Sequence, residues 1–255
     1  MERIRTNIMG TKIDAVSRAE ALERIGRFLQ SEKSRHVVTP NAEFILQARR
    51  DQEFRDILNQ SDLAVLDGSG PLIASWFTSV RLKEIVPGSD LVQDILKLSQ
   101  KENFRILHLN PHRSLSGSSE IETAVRERFP GSDFASLEVA PQERESKALL
   151  ARIESISPAV ILVGFGSPYQ DIWIKKNLPK LTSPRLAMGI GGSFDFISGR
   201  RNRAPQAMQK AGLEWLHRLV SRPQGGEYYF GRRVHKIARS VVWFPLVFVF
   251  TLNKG

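Results

Sequence analysis

Four short stretches of this chain, residues 63–66, 104–109, 159–165 and 186–190, are almost continuously apolar rather than alternating. A strand with one face in water alternates apolar and polar side chains, so stretches like these must be covered on both faces. The segments between them carry helical spacing. Ser17 followed by Glu20 forms a capping box ahead of Ala21, Leu22, Ile25, Phe28 and Leu29. Residues 42–60 show the same periodicity in two pieces broken near Asp51, and residues 89–100, 118–129 and 142–156 continue it. A further short strand is expected over residues 36–39. Strands alternating with helices predict an α/β fold with a mostly parallel, Rossmann-like sheet and helices on both faces. The expected organisation is an α/β core over residues 1–199 and a basic C-terminal appendage over residues 200–255.

The charge distribution sharpens this division. The chain of 255 residues carries a formal charge of +10, and from Arg200 onward there are 11 Lys or Arg against Glu214 and Glu227. Nine of the ten net positive charges therefore belong to the tail, a localised field suited to phosphate groups. Residues 241–252, mostly apolar and rich in Trp and Phe, follow Arg232, Arg233, Lys236 and Arg239. Twelve residues are too few to cross a bilayer, which takes about 20. The expectation is a segment lying in an anionic membrane surface; a homo-oligomer contact or a final buried strand is the other reading. Nucleic-acid binding would use the same charge, but no recognition module accompanies it. The chain start shows no secretory signal pattern, which points to the cytoplasmic side of the membrane.

Polar and glycine residues gather just after the expected strands, at the edge where open parallel sheets bind ligands. These are Thr39-Pro-Asn41, Asp67-Gly-Ser-Gly70, Gly164-Phe-Gly-Ser-Pro-Tyr-Gln170 and Gly189-Ile-Gly-Gly-Ser-Phe-Asp195. Asp67 is the candidate general base, since partial burial at a sheet mouth suits a carboxylate to take a hydroxyl proton. Thr39 and Asn41 have the groups to fix substrate hydroxyls or an acetamido group, Gln170 can donate and accept hydrogen bonds without carrying charge, and Asp195 is a second acidic candidate. Gly164, Gly166, Gly191 and Gly192 allow backbone amides to approach a diphosphate. Each of these residues has a structural alternative as a turn or cap. The complete Gly-x-Gly-x-x-Gly and Gly-x-x-x-x-Gly-Lys-Ser/Thr patterns are missing from these loops, which disfavours a standard hydride-transfer enzyme or P-loop ATPase. The five histidines form no metal-binding pattern and there is no cysteine, so neither a metal nor a cofactor is expected. A diphosphate leaving group would then rely on arginines and backbone amides.

These loop motifs, together with Pro87-Gly-Ser-Asp90, Arg203-Ala-Pro205 and Gly212-Leu-Glu-Trp-Leu-His-Arg218, resemble the ordered motifs of the WecG/TagA/CpsF family of bacterial glycosyltransferases over about residues 8–222. The resemblance implies an inverting, metal-independent transferase associated with the cytoplasmic face of the membrane. Its donor would be a UDP-sugar, commonly UDP-N-acetylmannosamine or its uronic acid, and its acceptor a sugar on undecaprenyl diphosphate. It assigns Asp67 as base, Thr39, Asn41 and Gln170 to the substrate pocket, and Arg218 to a tail closing over the substrate. The chain has Ile85 where that family often has Arg, and Arg232 or Arg233 would supply tail charge. A non-catalytic, membrane-bound subunit binding lipid-linked sugar phosphates is the second class.

Overall fold

The computed structural model describes residues 3–205, 208, 216–217 and 238–252. Its order is β1 (Arg5–Ile8), β2 (Thr11–Asp14), α1 (Arg18–Leu29), β3 (Arg35–Val38), α2 (Ala42–Ala48), α3 (Gln52–Gln60), β4 (Leu63–Ala64), α4 (Ser69–Ala74) and α5 (Gly88–Glu102). It continues with β5 (Ile106–Pro111), α6 (Ser118–Arg128), β6 (Phe134–Val139), α7 (Lys147–Ile156), β7 (Val160–Val163), α8 (Tyr169–Asn177), β8 (Leu186–Gly189) and α9 (Phe194–Ile197). The final described helix, α10 (Phe244–Leu252), follows one π-helical stretch at Arg239–Trp243.

Six strands form one sheet in the order β4-β3-β8-β7-β5-β6, every neighbouring pair parallel. The apolar runs behave as their composition requires. In β7, Val160 and Leu162 face a core shared with α1, α5, α6 and α9, whereas Ile161 and Val163 face one shared with α7 and α8. Both faces of the strand are thus sealed from water. Local signals fix the helix starts: Ser17 and Glu20 form the capping box of α1, and the Asp51 side chain accepts from the Phe54 amide where the two helical pieces divide. Residues 142–156 divide into a 3-10 turn at Pro141–Glu143 and α7.

A separate antiparallel pair, β1–β2, supplements the parallel sheet. Its two-residue turn, Met9-Gly10, has positive φ at both positions, the geometry that matches strand twist in a hairpin. Asp14 ties this hairpin to the sheet edge. Its buried carboxylate accepts from Arg3 at 2.6 and 3.0 Å, Arg24 at 3.3 Å, Arg5 at 3.4 Å and the Ala64 amide of β4 at 2.8 Å. Residues 244–252 are helical, so the final-strand reading is replaced. As a helix the run places Phe244 and Phe248, four residues apart, on one side and seats them in the core against α2 and α4. No described helix is long and apolar enough to cross a membrane.

Candidate active site at the carboxyl edge of the sheet

Parallel strands align their carboxyl ends on one edge, and four of the expected motifs lie there. The chain after β5 goes to one face, through α6, and the chain after the adjacent β7 goes to the other, through α8, as crossovers of one hand running in opposite directions require. The two departures leave a crevice between them, the usual ligand position in such a sheet.

On one side, β3 delivers Thr39, Pro40 and Asn41, and the stretch after β4 delivers Asp67. The Asp67 amide donates to Pro40 O at 3.0 Å, which holds the two loops together. Asp67 is half-buried, and Gly68 follows at φ +94° as the chain turns into α4. Asn41 caps α2, its side-chain oxygen accepting from the Phe44 amide at 3.1 Å. Thr39 is buried and touches Gly88, at which a methyl group would lie 3.2 Å from Thr39 Oγ1. Pro87-Gly-Ser-Asp90 is thereby packed onto the Thr39 loop. Ile85 packs at the edge of the apolar cluster around Ile45 and Phe244.

On the other side, β7 and β8 deliver the two glycine-rich loops. Gln170 in the first turn of α8 is 3% exposed, and its Oε1 accepts from the Gly191 amide at 2.9 Å. The absence of a side chain at Gly189 makes room for it, since a Cβ there would lie 2.5 Å from Gln170 Nε2. Gly164 has a similar role beside His108: its Cβ would fall 2.9 Å from His108 Nε2 and 3.2 Å from Leu109 O. Gly166 and Gly191 have φ of +78° and +51° and open space at the Cβ position. Gly192 is instead packed against Asp195.

Asp195 belongs to a buried network. Its Oδ1 accepts from the Ser116 hydroxyl at 2.9 Å, Arg201 pairs with it at 3.3 Å, and Ser198 Oγ lies 2.7 Å from Ser116 Oγ. Burial raises its pKa, and Arg201 and Ser116 only partly oppose that shift. His108 lies 4.5 Å from the Phe194 ring, and burial lowers its pKa to about 3, so the imidazole is neutral near pH 7.

The structure therefore brings Thr39, Asn41 and Asp67 together, and Gly164, Gly166, Gln170, Gly191, Gly192 and Asp195 line the adjacent strand ends. Arg218, Arg232 and Arg233 lie outside the described residues. Two further residues at this edge gave no signal in the sequence. Ser116 sits in an ordinary polar loop and becomes notable only through Asp195. Arg144 falls within the helical window expected over residues 142–156, yet its guanidinium stacks 4.3 Å from the Phe165 ring centre, with Nε buried and unpartnered among the described residues. Burial lowers its pKa. No group of three or more His, Asp or Glu among the described residues is placed to hold a metal ion.

Comparison with known proteins adds two findings. The Glycosyl transferase WecG/TagA/CpsF family model matches residues 6–243. Similar curated proteins include the N-acetylglucosaminyldiphosphoundecaprenol N-acetyl-beta-D-mannosaminyltransferases of Staphylococcus aureus strains MRSA252, NCTC 8325 / PS 47 and COL. Each is 28% identical over 218 residues, covering 85% of this chain and 84% of the relative.

Proposed function

The chain belongs to the WecG/TagA/CpsF family of glycosyltransferases, and from that premise we propose that it transfers N-acetylmannosamine or a related sugar from a UDP-sugar to an acceptor on undecaprenyl diphosphate. The product would enter bacterial surface polysaccharide synthesis. The Staphylococcus relatives, named for transfer to N-acetylglucosaminyldiphosphoundecaprenol, support the acceptor class. The observation that carries the chemistry is Asp67, half-buried at the mouth of the sheet and locked by its backbone to the Thr39 loop.

In this reading the Asp67 carboxylate takes the proton from an acceptor hydroxyl. That oxygen attacks the anomeric carbon from the face opposite UDP, the bond to the diphosphate oxygen breaks, and the sugar configuration inverts. Thr39 and Asn41 orient the sugars, while Gln170 and Asp195 set the loops that meet the donor. Backbone amides at Gly164, Gly166, Gly191 and Gly192, with Arg218, Arg232 and Arg233 from the basic tail, offset the charge on departing UDP. The appendage over residues 200–255 would hold the enzyme peripherally on the cytoplasmic face of the membrane.

The test incubates the detergent-solubilised full chain with an undecaprenyl-diphosphate-GlcNAc analogue and a panel of UDP-sugars, without added metal, and follows the lipid product by mass spectrometry. The mass gained identifies the donor. Asp67→Asn should lower turnover by roughly 10²- to 10⁴-fold while leaving donor binding nearly unchanged. Near-wild-type turnover in that variant would remove Asp67 from the role.

A further inference from the structure

Eight large apolar side chains stand in water on two elements that are far apart in sequence and touch in space. Ile73, Trp76 and Phe77 are 50–64% exposed on α4 and the 3-10 turn that follows it. Val242, Trp243, Leu246, Val249 and Phe250 are 48–66% exposed on α10 and the turn before it. The elements join through an inner seam. Phe248 lies 6.2 Å from Phe77, ring centre to ring centre, and Phe244 packs so closely on Gly70 that a Cβ there would meet its ring at 3.3 Å.

Two properties of this surface identify what covers it. First, α10 has no polar face to turn to water: its one hydroxyl, on Thr251, donates to Val247 O at 2.7 Å and is satisfied within the helix. A helix on an ordinary protein surface puts polar residues outward. Nine residues span ~14 Å, so α10 cannot cross a bilayer and is suited to lying along one. Second, the flanking sequence is cationic. Residues 228–255 contain five Lys or Arg and no acid, and Arg81 is exposed just beyond the 3-10 turn, whereas Lys83 is paired with Glu20 and Glu84 follows it. A two-fold contact between copies of this chain would bring like charges together, whereas anionic headgroups complement them.

We propose that Ile73, Trp76, Phe77 and the outer side of α10 form one surface that seats in the interface of an anionic lipid bilayer. It extends the membrane-surface reading above by adding a mid-chain element to the C-terminal one and so fixing which side of the enzyme faces lipid. The geometry gives that orientation a purpose. Asp67 directly precedes Gly68 and α4, a six-residue helix rising only ~9 Å, so seating the ridge holds the candidate base beside the headgroup layer. A sugar carried on a membrane-embedded diphosphate is presented at that level.

The experiment measures co-sedimentation of the full chain with vesicles of phosphatidylglycerol and phosphatidylcholine. It compares wild type, the double variant Trp76→Ser/Phe77→Ser, and Ile4→Ser as an exposed apolar control elsewhere on the molecule. The double variant should bind at least about tenfold more weakly, and Ile4→Ser should match wild type. Trp76→Phe should also lose part of the fluorescence quenching produced by lipids brominated in their acyl chains. Sedimentation velocity without lipid tests the other occupant. Unchanged vesicle binding by a folded double variant, or dissociation of a wild-type dimer by the same substitutions, overturns the proposal. Binding is read without turnover, so failure of this proposal is distinguishable from failure of the catalytic reading.

Discussion

Gly189→Ala should be among the more damaging one-methyl changes in the protein, for a reason local enough to test by a double-mutant cycle. Gly189 does not have a positive φ, and at such a position Gly→Ala ordinarily stabilises by about 0.4–1 kcal/mol through the unfolded state. Here the new Cβ would lie 2.5 Å from Gln170 Nε2 and 2.7 Å from its Cδ and Cγ. Gln170 is packed in the interior, so it cannot simply swing into solvent, and any retreat breaks its 2.9 Å bond to the Gly191 amide. Overpacking costs about 1–3 kcal/mol and an abandoned buried polar partner a similar amount, so the expected loss is about 2–5 kcal/mol. For a chain of this size that lowers Tm by roughly 5–15 °C. Donor affinity should fall with it, because the Gly191 loop loses its brace. The cycle adds Gln170→Ala: with the long side chain gone, Gly189→Ala should become neutral or stabilising. Thermal melts and urea titrations of the four proteins give the coupling. If Gly189→Ala melts within about 2 °C of wild type, or costs as much in the Gln170→Ala background, the steric argument is wrong.

Two other outcomes follow from buried charge. His108 has its pKa lowered from 6.5 to about 3 by burial, so the unfolded chain binds its proton more readily. The stability from keeping this imidazole neutral is full above about pH 6.5 and is lost as pH falls towards 3, on the order of 5 kcal/mol in all. Urea titrations from pH 7.5 down to pH 4.5 should therefore show a shallower decline for His108→Gln than for wild type; parallel profiles would refute it. Asp14→Ala leaves Arg3, Arg5 and Arg24 without their shared carboxylate and the Ala64 amide without its acceptor. A loss of about 3–5 kcal/mol is expected by chemical denaturation, and a loss under 1 kcal/mol would mean that the hairpin is not anchored this way.

The legible parts of the fold were those where one physical requirement dominated a segment. Strands β7 and β8 are buried on both faces and therefore uniformly apolar, and α1 and α3 carry their caps in the sequence. Elements with mixed surroundings were harder to read. Strand β6 pairs with only one neighbour, so Phe-Ala-Ser-Leu-Glu-Val shows neither continuous burial nor clean alternation. Helix α8 buries Gln170, Asp171 and Asn177 alongside Trp173 and Ile174, which erases the polar face that periodicity needs. The β1–β2 hairpin turns on Met9-Gly10 rather than Asn-Gly, and Ile73, Trp76 and Phe77, on α4 and the turn after it, expose apolar side chains that would ordinarily mark a buried face.

The candidate site shows the same division between what residue type reveals and what tertiary position decides. Asn41, Gln170 and Asp195 attracted notice as polar residues beyond strand ends, and each is already committed to the fold: Asn41 caps α2, Gln170 braces the Gly191 amide, and Asp195 gathers Ser116 and Arg201. Such commitments are compatible with a role in binding, because a side chain held at one atom presents its other atoms in a fixed direction. Gln170 is fixed in this way: its Oε1 accepts from the Gly191 amide while the rest of the side chain packs against Gly189. On the β3–β4 side the bracing comes from the main chain, through the Asp67 amide and Pro40 O. Asp195 is bound into its network through its carboxylate, which makes it the weaker candidate for the base. Ionising or protonating Asp195 would disturb the hydroxyl and guanidinium packed against it.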